Sequence, residues 1–268
     1  PTAKNQLLID SYQLYSYTST RQLVQSSSSK QIWKSAVLVG NPDFGPIPTN
    51  AKDGWSALPG TALEINQLKP VLEGQKIQVK TYLDRAATEL ALQQLDGKSP
   101  DIIHVATHGF FLPDPSAQKR NLTISSSQFS LASDPLLRSG LVFADGNKAW
   151  TGKQPAGGND GILTAYELSQ LNLSNTRMMV MSACETALGD VLDSEGVFGL
   201  QRACKLAGVQ YLLLSLWQVP DQETALLMQT FYTNLLQGQT PREALYQAQK
   251  KWRNEWPPYA WAAFVIIE

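Results

Sequence analysis

The feature that most restricts this chain is a repeated switch in hydrophobic period. Short, almost uninterrupted apolar runs alternate with stretches whose apolar residues recur at helical spacing. An apolar run bounded by turn residues suits a strand buried on both faces, and such strands belong to parallel sheets covered by helices. Ala36–Gly40 (AVLVG), Asp101–Ala106 (DIIHVA), Met178–Ser182 (MMVMS) and Gln210–Leu216 (QYLLLSL) are runs of this kind. Between them, Leu58–Leu72, Ala86–Leu95, Leu163–Leu171, Glu195–Ala207, Asp221–Leu236 and Pro241–Asn254 read as helices. In the first of these, Leu63, Leu68, Val71 and Leu72 are expected to face inward, and Thr88 is expected to cap the second. Asp221, or Thr240 with Pro241, offers a helix start. Ile77–Tyr82 alternates as a strand, Leu7–Tyr17 reads as a strand or hairpin, and Ala260–Ile267 is the last strand. The pattern predicts an α/β fold with a mostly parallel sheet flanked by helices on both faces.

Length and charge narrow the field. The chain has 268 residues, 43% hydrophobic and 17% charged, which suits a single globular domain over 1–268. A formal net charge of −1 argues against a direct nucleic-acid binder. No apolar run reaches the roughly 18 residues of a membrane-spanning helix. Two cysteines, Cys184 and Cys204, are no disulfide framework and point to a reducing, cytoplasmic setting. The chain begins at Pro1, which fits a piece of something longer; a removed initiator Met is the bland alternative. Residues 113–160, rich in Ser, Pro, Gly, Asn and Asp, read as a long loop insertion with one or two short strands around the apolar island Leu136–Ala144.

Reactive residues are few, and two fall where open sheets place their chemistry, beyond the carboxyl ends of strands. DIIHVA runs into Thr107-His108-Gly109, and MMVMS runs into Ala183-Cys184. A thiolate is a strong nucleophile that needs a base or a lowered pKa, and an imidazole supplies either. If the two strands are parallel neighbours, both groups reach one rim. Gly109 lets a backbone N–H approach a substrate carbonyl, and the Cys184 N–H is a second donor, so the pair is a candidate oxyanion hole. The bland readings stay open on residues alone: Cys184 as a small buried hydrophobe, His108 as a structural turn residue. Cys204, on the apolar face of a helix, reads as core, and His104, inside a strand, as a hydrogen-bonded interior imidazole. No CxxC or HExxH spacing supports a metal site from His104, His108 and Cys184.

Six blocks then follow in order: DIIHVATHGFF, GILTAYELSQLNL, MVMSACETALGD, EGVFGLQRACKLAG, LLLSLWQVPD and YAWAAFVIIE. Together they resemble CHAT domains, caspase-like relatives of separase often attached to tetratricopeptide repeats. The resemblance covers nearly the whole chain. It implies a caspase–hemoglobinase-like sheet, with His108 of THG as base and Cys184 of SACET as nucleophile. No metal and no cofactor are expected. The resemblance also implies that strands preceding Leu8–Tyr17 are missing here, and that a tetratricopeptide-repeat or other regulatory domain stands upstream. Caspase-like proteases often place substrate-binding segments in loops such as 113–160. In separase-like relatives an acidic residue in a similar LW-x-V-x-D setting is associated with a basic substrate side chain; Asp221 matches it, with Asp190 a second candidate and Trp217 the wall of an alternative apolar pocket. Capping of the next helix is the bland role for Asp221.

The function expected from this sequence is a cysteine endopeptidase acting on protein substrates through a Cys–His dyad, regulated by a partner or attached domain. The alternative is a catalytically silent scaffold of the same family that binds a protein partner. A nucleotide-binding module is disfavoured, because GxxxxGK[ST] is absent and Gly157–Gly161 is better read as a turn.

Overall fold

Uninterrupted apolar strands need cover on both faces, and the chain supplies it with two helical layers. The computed structural model describes residues 7, 9, 12, 32–47, 49, 54–112, 134–152, 159–182, 195–217 and 219–268, without the side chains of 195–198. Its elements are β1 (Ser35–Pro42), α1 (Pro59–Glu73), β2 (Gln78–Asp84), α2 (Glu89–Gln93), β3 (Ile102–Ala106), β4 (Gly109–Phe111), β5 (Ser139–Val142), α3 (Gly146–Trp150), β6 (Ile162–Thr164), α4 (Ala165–Gln170), β7 (Met178–Met181), α5 (Glu195–Leu206), β8 (Tyr211–Ser215), α6 (Asp221–Leu236), α7 (Pro241–Trp252), α8 (Pro258–Trp261) and β9 (Phe264–Ile267).

A six-stranded sheet runs in the order β2-β1-β3-β7-β8-β9. Its strands are parallel except β9, which lies antiparallel to β8. Strand alternation sorts the core in two. Leu38, Ile102, Met178, Val180 and Leu213 face α1, α6 and α7, where Ile65, Leu68, Phe231 and Ala248 meet them. Val39, Ile103, Val105, Met179 and Leu212 face the opposite layer, with Leu92, Leu168 and Cys204. Cys204 is fully buried, 3.7 Å from the Met179 sulfur, and burial pushes its thiol up to about 12.

Several expectations are corrected. Leu63 is 44% exposed, and the inward stripe of α1 is Thr61, Glu64, Ile65, Leu68 and Leu72. Glu64 takes the inward position because buried polar partners await it on the sheet. Asp221 is not the cap of α6: Pro220 holds that position and no side chain caps it, so Asp221 is the first helical residue. Thr88 caps α2 and Thr240 forms a capping box with Glu243, as their positions predict. The Leu163–Leu171 helix starts two residues later, because the Thr164–Glu167 capping box sets its first turn and leaves β6 before it. Ala260 and Trp261 belong to α8 rather than to the last strand.

Within 113–160, residues 134–152 carry β5 and α3. With β4 and β6, β5 makes a three-stranded antiparallel sheet, β4-β5-β6, that sequence reading missed. An aromatic cluster backs it: Phe44, Trp55, Phe110 and Trp150. The remainder of 113–160 lies outside the described residues, as does Leu7–Tyr17 apart from residues 7, 9 and 12.

Glu89 fastens this small sheet to the main body. Its Oε2 accepts from the Asp160 and Gly161 N–H groups at 3.2 Å each, and its Oε1 accepts from Gln93 Nε2. Burial, reinforced by the nearby Glu167 and Asp160 carboxylates, raises the Glu89 pKa to about 8. The folded state therefore holds a proton the unfolded state has lost between about pH 4.5 and 8. Its stability is fully present below that window and falls as pH rises through it. Urea midpoints measured from pH 5 to 8 are expected to decline, and Glu89→Gln is expected to flatten the decline; an unchanged slope in the variant would assign it elsewhere.

Candidate active site

β3 and β7 pair directly and in parallel, with Val105 opposite Met181, so the two strand ends emerge side by side. Past them, the Ser182 N–H donates to Val105 O at 3.0 Å. The His108 ring lies beside both Phe44 and Trp55, with centroids 5.1 Å from each. Its Nε2 stands 2.8 Å from Ser56 O. A carbonyl can only accept, so Nε2 carries the hydrogen and Nδ1 is left with its lone pair. Burial holds the imidazole below its usual pKa, opposed by the Ser56 carbonyl and the Asp221 carboxylate. Burial thus favours the neutral form of the ring.

The cleft beside His108 is lined by Gly60, Thr61, Glu64, Thr107, Ser182 and Asp221. Glu64, only 2% exposed, forms its floor. One carboxylate oxygen lies 3.0 Å from His104 Nε2, and the other accepts from Ser182 Oγ at 3.1 Å. His104 Nδ1 is 3.2 Å from the Tyr232 hydroxyl. Burial and the Glu64 charge push the Tyr232 phenol well above its usual pKa, so it keeps its proton beside Nδ1. Glu64 thus accepts from Ser182 O–H on one oxygen and faces His104 Nε2 with the other, in a close contact that lacks hydrogen-bond alignment. His104 is therefore the hydrogen-bonded interior imidazole read from the sequence.

Asp221 enters this cleft from the first turn of α6 and lies against Gly60 in α1. A Cβ added at Gly60 would stand 2.0 Å from Asp221 Oδ2, so only glycine leaves the carboxylate its place. Trp217 does not line the cleft; its indole N–H donates to Tyr259 O at 2.7 Å. Gly109 pairs with Leu141 in the register where the Val142 N–H reaches His108 O at 2.9 Å. That makes Gly109–Leu141 a non-hydrogen-bonded pair and turns the Gly109 N–H away from β5. Cys184 and Asp190 lie outside the described residues. Ser56, Trp55, Phe44 and Glu64 escaped sequence reading. Ser56 acts through a main-chain carbonyl, which every residue has, and a single Glu among the apolar positions of α1 reads as surface.

The strand that runs into His108 and the strand that leads toward Cys184 are thus parallel neighbours in a mostly parallel sheet. The family model for the CHAT domain matches residues 1–268, and the chain belongs to that family. A stretch of 109 residues, 40% of the chain, is 34% identical to Tetratricopeptide repeat protein 28 of Mus musculus and 32% identical to its namesake in Homo sapiens. The match spans about 4% of the length of those curated relatives. Among solved structures, the Arg-specific cysteine proteinase gingipain R aligns over 88% of this chain and 46% of its own, at 13% identity and a TM-score of 0.48. Protein GSU0716 from Geobacter sulfurreducens aligns over 87% and 91%, at 17% identity and a TM-score of 0.45. No described helix is long and apolar enough to cross a membrane.

Proposed function

We propose that this CHAT domain is a cysteine endopeptidase in which His108 Nδ1 takes the proton of the Cys184 thiol. The observation that carries the reading is the Nε2–H to Ser56 O bond, which presets the tautomer a base needs. Cys184 follows Ser182 by two residues, and two residues of chain reach at most about 7 Å. The thiolate attacks the substrate carbonyl carbon, and the resulting oxyanion is received by the Gly109 and Cys184 N–H groups. Imidazolium then returns the proton to the leaving amine, and water hydrolyses the thioester. The test is digestion of a peptide library, read by mass spectrometry, with wild type and Cys184→Ala. New termini that vanish in the variant support the reading; an unchanged peptide pool with wild type favours the silent scaffold. The match to Tetratricopeptide repeat protein 28 favours a tetratricopeptide-repeat or other regulatory domain attached to this one.

The specificity reading rests on Asp221. A carboxylate in the cleft beside the base, with Glu64 beneath it and no lysine or arginine among the described lining residues, suits an Arg or Lys side chain before the scissile bond. Asp221→Ala is expected to remove that preference while folding is retained. A wild-type profile favouring apolar residues, or one unchanged by the substitution, would overturn this; Asp190→Ala tests the second carboxylate.

A further inference from the structure

The base is held by two chain segments, and both lead back to one buried side chain. Phe44 and Trp55 flank the imidazole, and Ser56 accepts its hydrogen. Neither segment belongs to a strand or helix, so neither has a ladder to fix it. Asn147, on α3, supplies the bonds a ladder would. Its Oδ1 accepts from the Trp55 N–H at 2.7 Å, and its Nδ2 donates to Trp55 O at 3.0 Å and to Gly45 O at 2.8 Å. Its own N–H donates to Phe44 O at 3.0 Å. The residue is fully buried, and both hydrogens of its amide are spent on these two segments.

The geometry points to Asn147 as a positioning residue for His108: by gripping Trp55 at both its N–H and its C=O, it fixes the carbonyl of the next residue, Ser56, against Nε2. The two-point grip matters because a single bond would leave the Trp55 backbone free to swing, and with it Ser56 O. A swung carbonyl lets the proton move to Nδ1, and a ring protonated there cannot accept from a thiol. Asn147 also belongs to the small sheet's side of the molecule. The segment 134–152 that reads as loop in the sequence is thereby the part that sets the tautomer of the base. The inference deepens the peptidase reading and rests on it for the word base, but the bond geometry stands without it.

The chain has two histidines, which makes the test direct. Long-range proton–nitrogen correlation spectra of ¹⁵N-labelled protein resolve both rings. In wild type, His108 is expected to show one tautomer, protonated at Nε2. In Asn147→Ala it is expected to show a mixture and to titrate at higher pH, as the ring gains water. His104, in the other layer, is expected to keep its spectrum and reports that the fold is intact. An Asn147→Ala protein with both rings unchanged overturns the inference. If His104 is also lost, Asn147→Asp decides, since it keeps the acceptor for the Trp55 N–H and drops both donors: a change confined to His108 supports the inference, and an unchanged His108 overturns it. With a cleaved peptide in hand, kcat is expected to fall on the order of 10²-fold with KM little moved. Should wild type cleave nothing, the peptidase reading fails while the tautomer result still judges Asn147.

Discussion

Cys184→Ala is expected to abolish peptide-bond cleavage, with a loss of at least about 10⁴-fold in kcat/KM. His108→Ala is expected to match it to within an order of magnitude, and the double variant to be no worse than either single one. The reason is that the two groups act as a unit. A thiol near its ordinary pKa is a poor nucleophile at neutral pH until the ring removes its proton, and the ring alone has nothing to activate. Steady-state kinetics on one cleaved peptide measure all three proteins. Additive losses, with the double variant far below both singles, would mean that the residues work separately and that the dyad is wrong. Retained turnover in Cys184→Ala would move the nucleophile elsewhere.

Glu64→Ala is expected to destabilise the protein by about 3–5 kcal/mol. The carboxylate is nearly fully buried, accepts Ser182 O–H on one oxygen and stands 3.0 Å from His104 Nε2 with the other. Removing it strands the Ser182 donor in a dry interior and opens a hole beneath the cleft. Glu64→Gln is expected to cost less, because the amide oxygen keeps one acceptor. Urea titration at pH 7 with the slope held constant measures both. An Ala midpoint equal to wild type would show that the floor of the cleft is wet and that these contacts contribute nothing. Ser182→Ala, which loses one bond and leaves the carboxylate paired with His104, is expected to fall between the two.

The central sheet was legible because burial on both faces leaves little room for polar interruption, His104 in β3 being one such residue. Met178–Met181 and Tyr211–Ser215 fall within the apolar runs that announce them, and α6 begins and ends where the helical pattern does. The small sheet was legible only in part: the island Leu136–Ala144 announced a short strand, and β5 lies within it, but its partners and pairing did not show. Gly109–Phe111, Ser139–Val142 and Ile162–Thr164 are three or four residues each, too short to show a period, and they pair across long sequence gaps. His108 could be singled out because it and Cys184 both follow buried strands and because the THG and SACET blocks carry the family resemblance. The groups that hold its ring could not. A carbonyl at Ser56 and an asparagine in an apparent loop carry no sequence signal, and Glu64 sits where helical spacing invites a leucine. The neighbouring position, Leu63, took the inward role in the sequence reading and faces outward in the structure.

Cys204 has a practical consequence for anyone assaying this domain. Its sulfur is sealed in the core, and with a pKa pushed up to about 12 it holds its proton at every working pH. The chain has two cysteines, so a maleimide or chloromethyl ketone added to native protein has one thiol left to report on. If Cys184 is the nucleophile proposed above, a peptidyl chloromethyl ketone incorporated per mole counts competent molecules, whereas maleimide counts every reachable thiol. Turnover numbers can be normalised to that count, and a preparation in which half the chains are dead announces itself before any substrate is added.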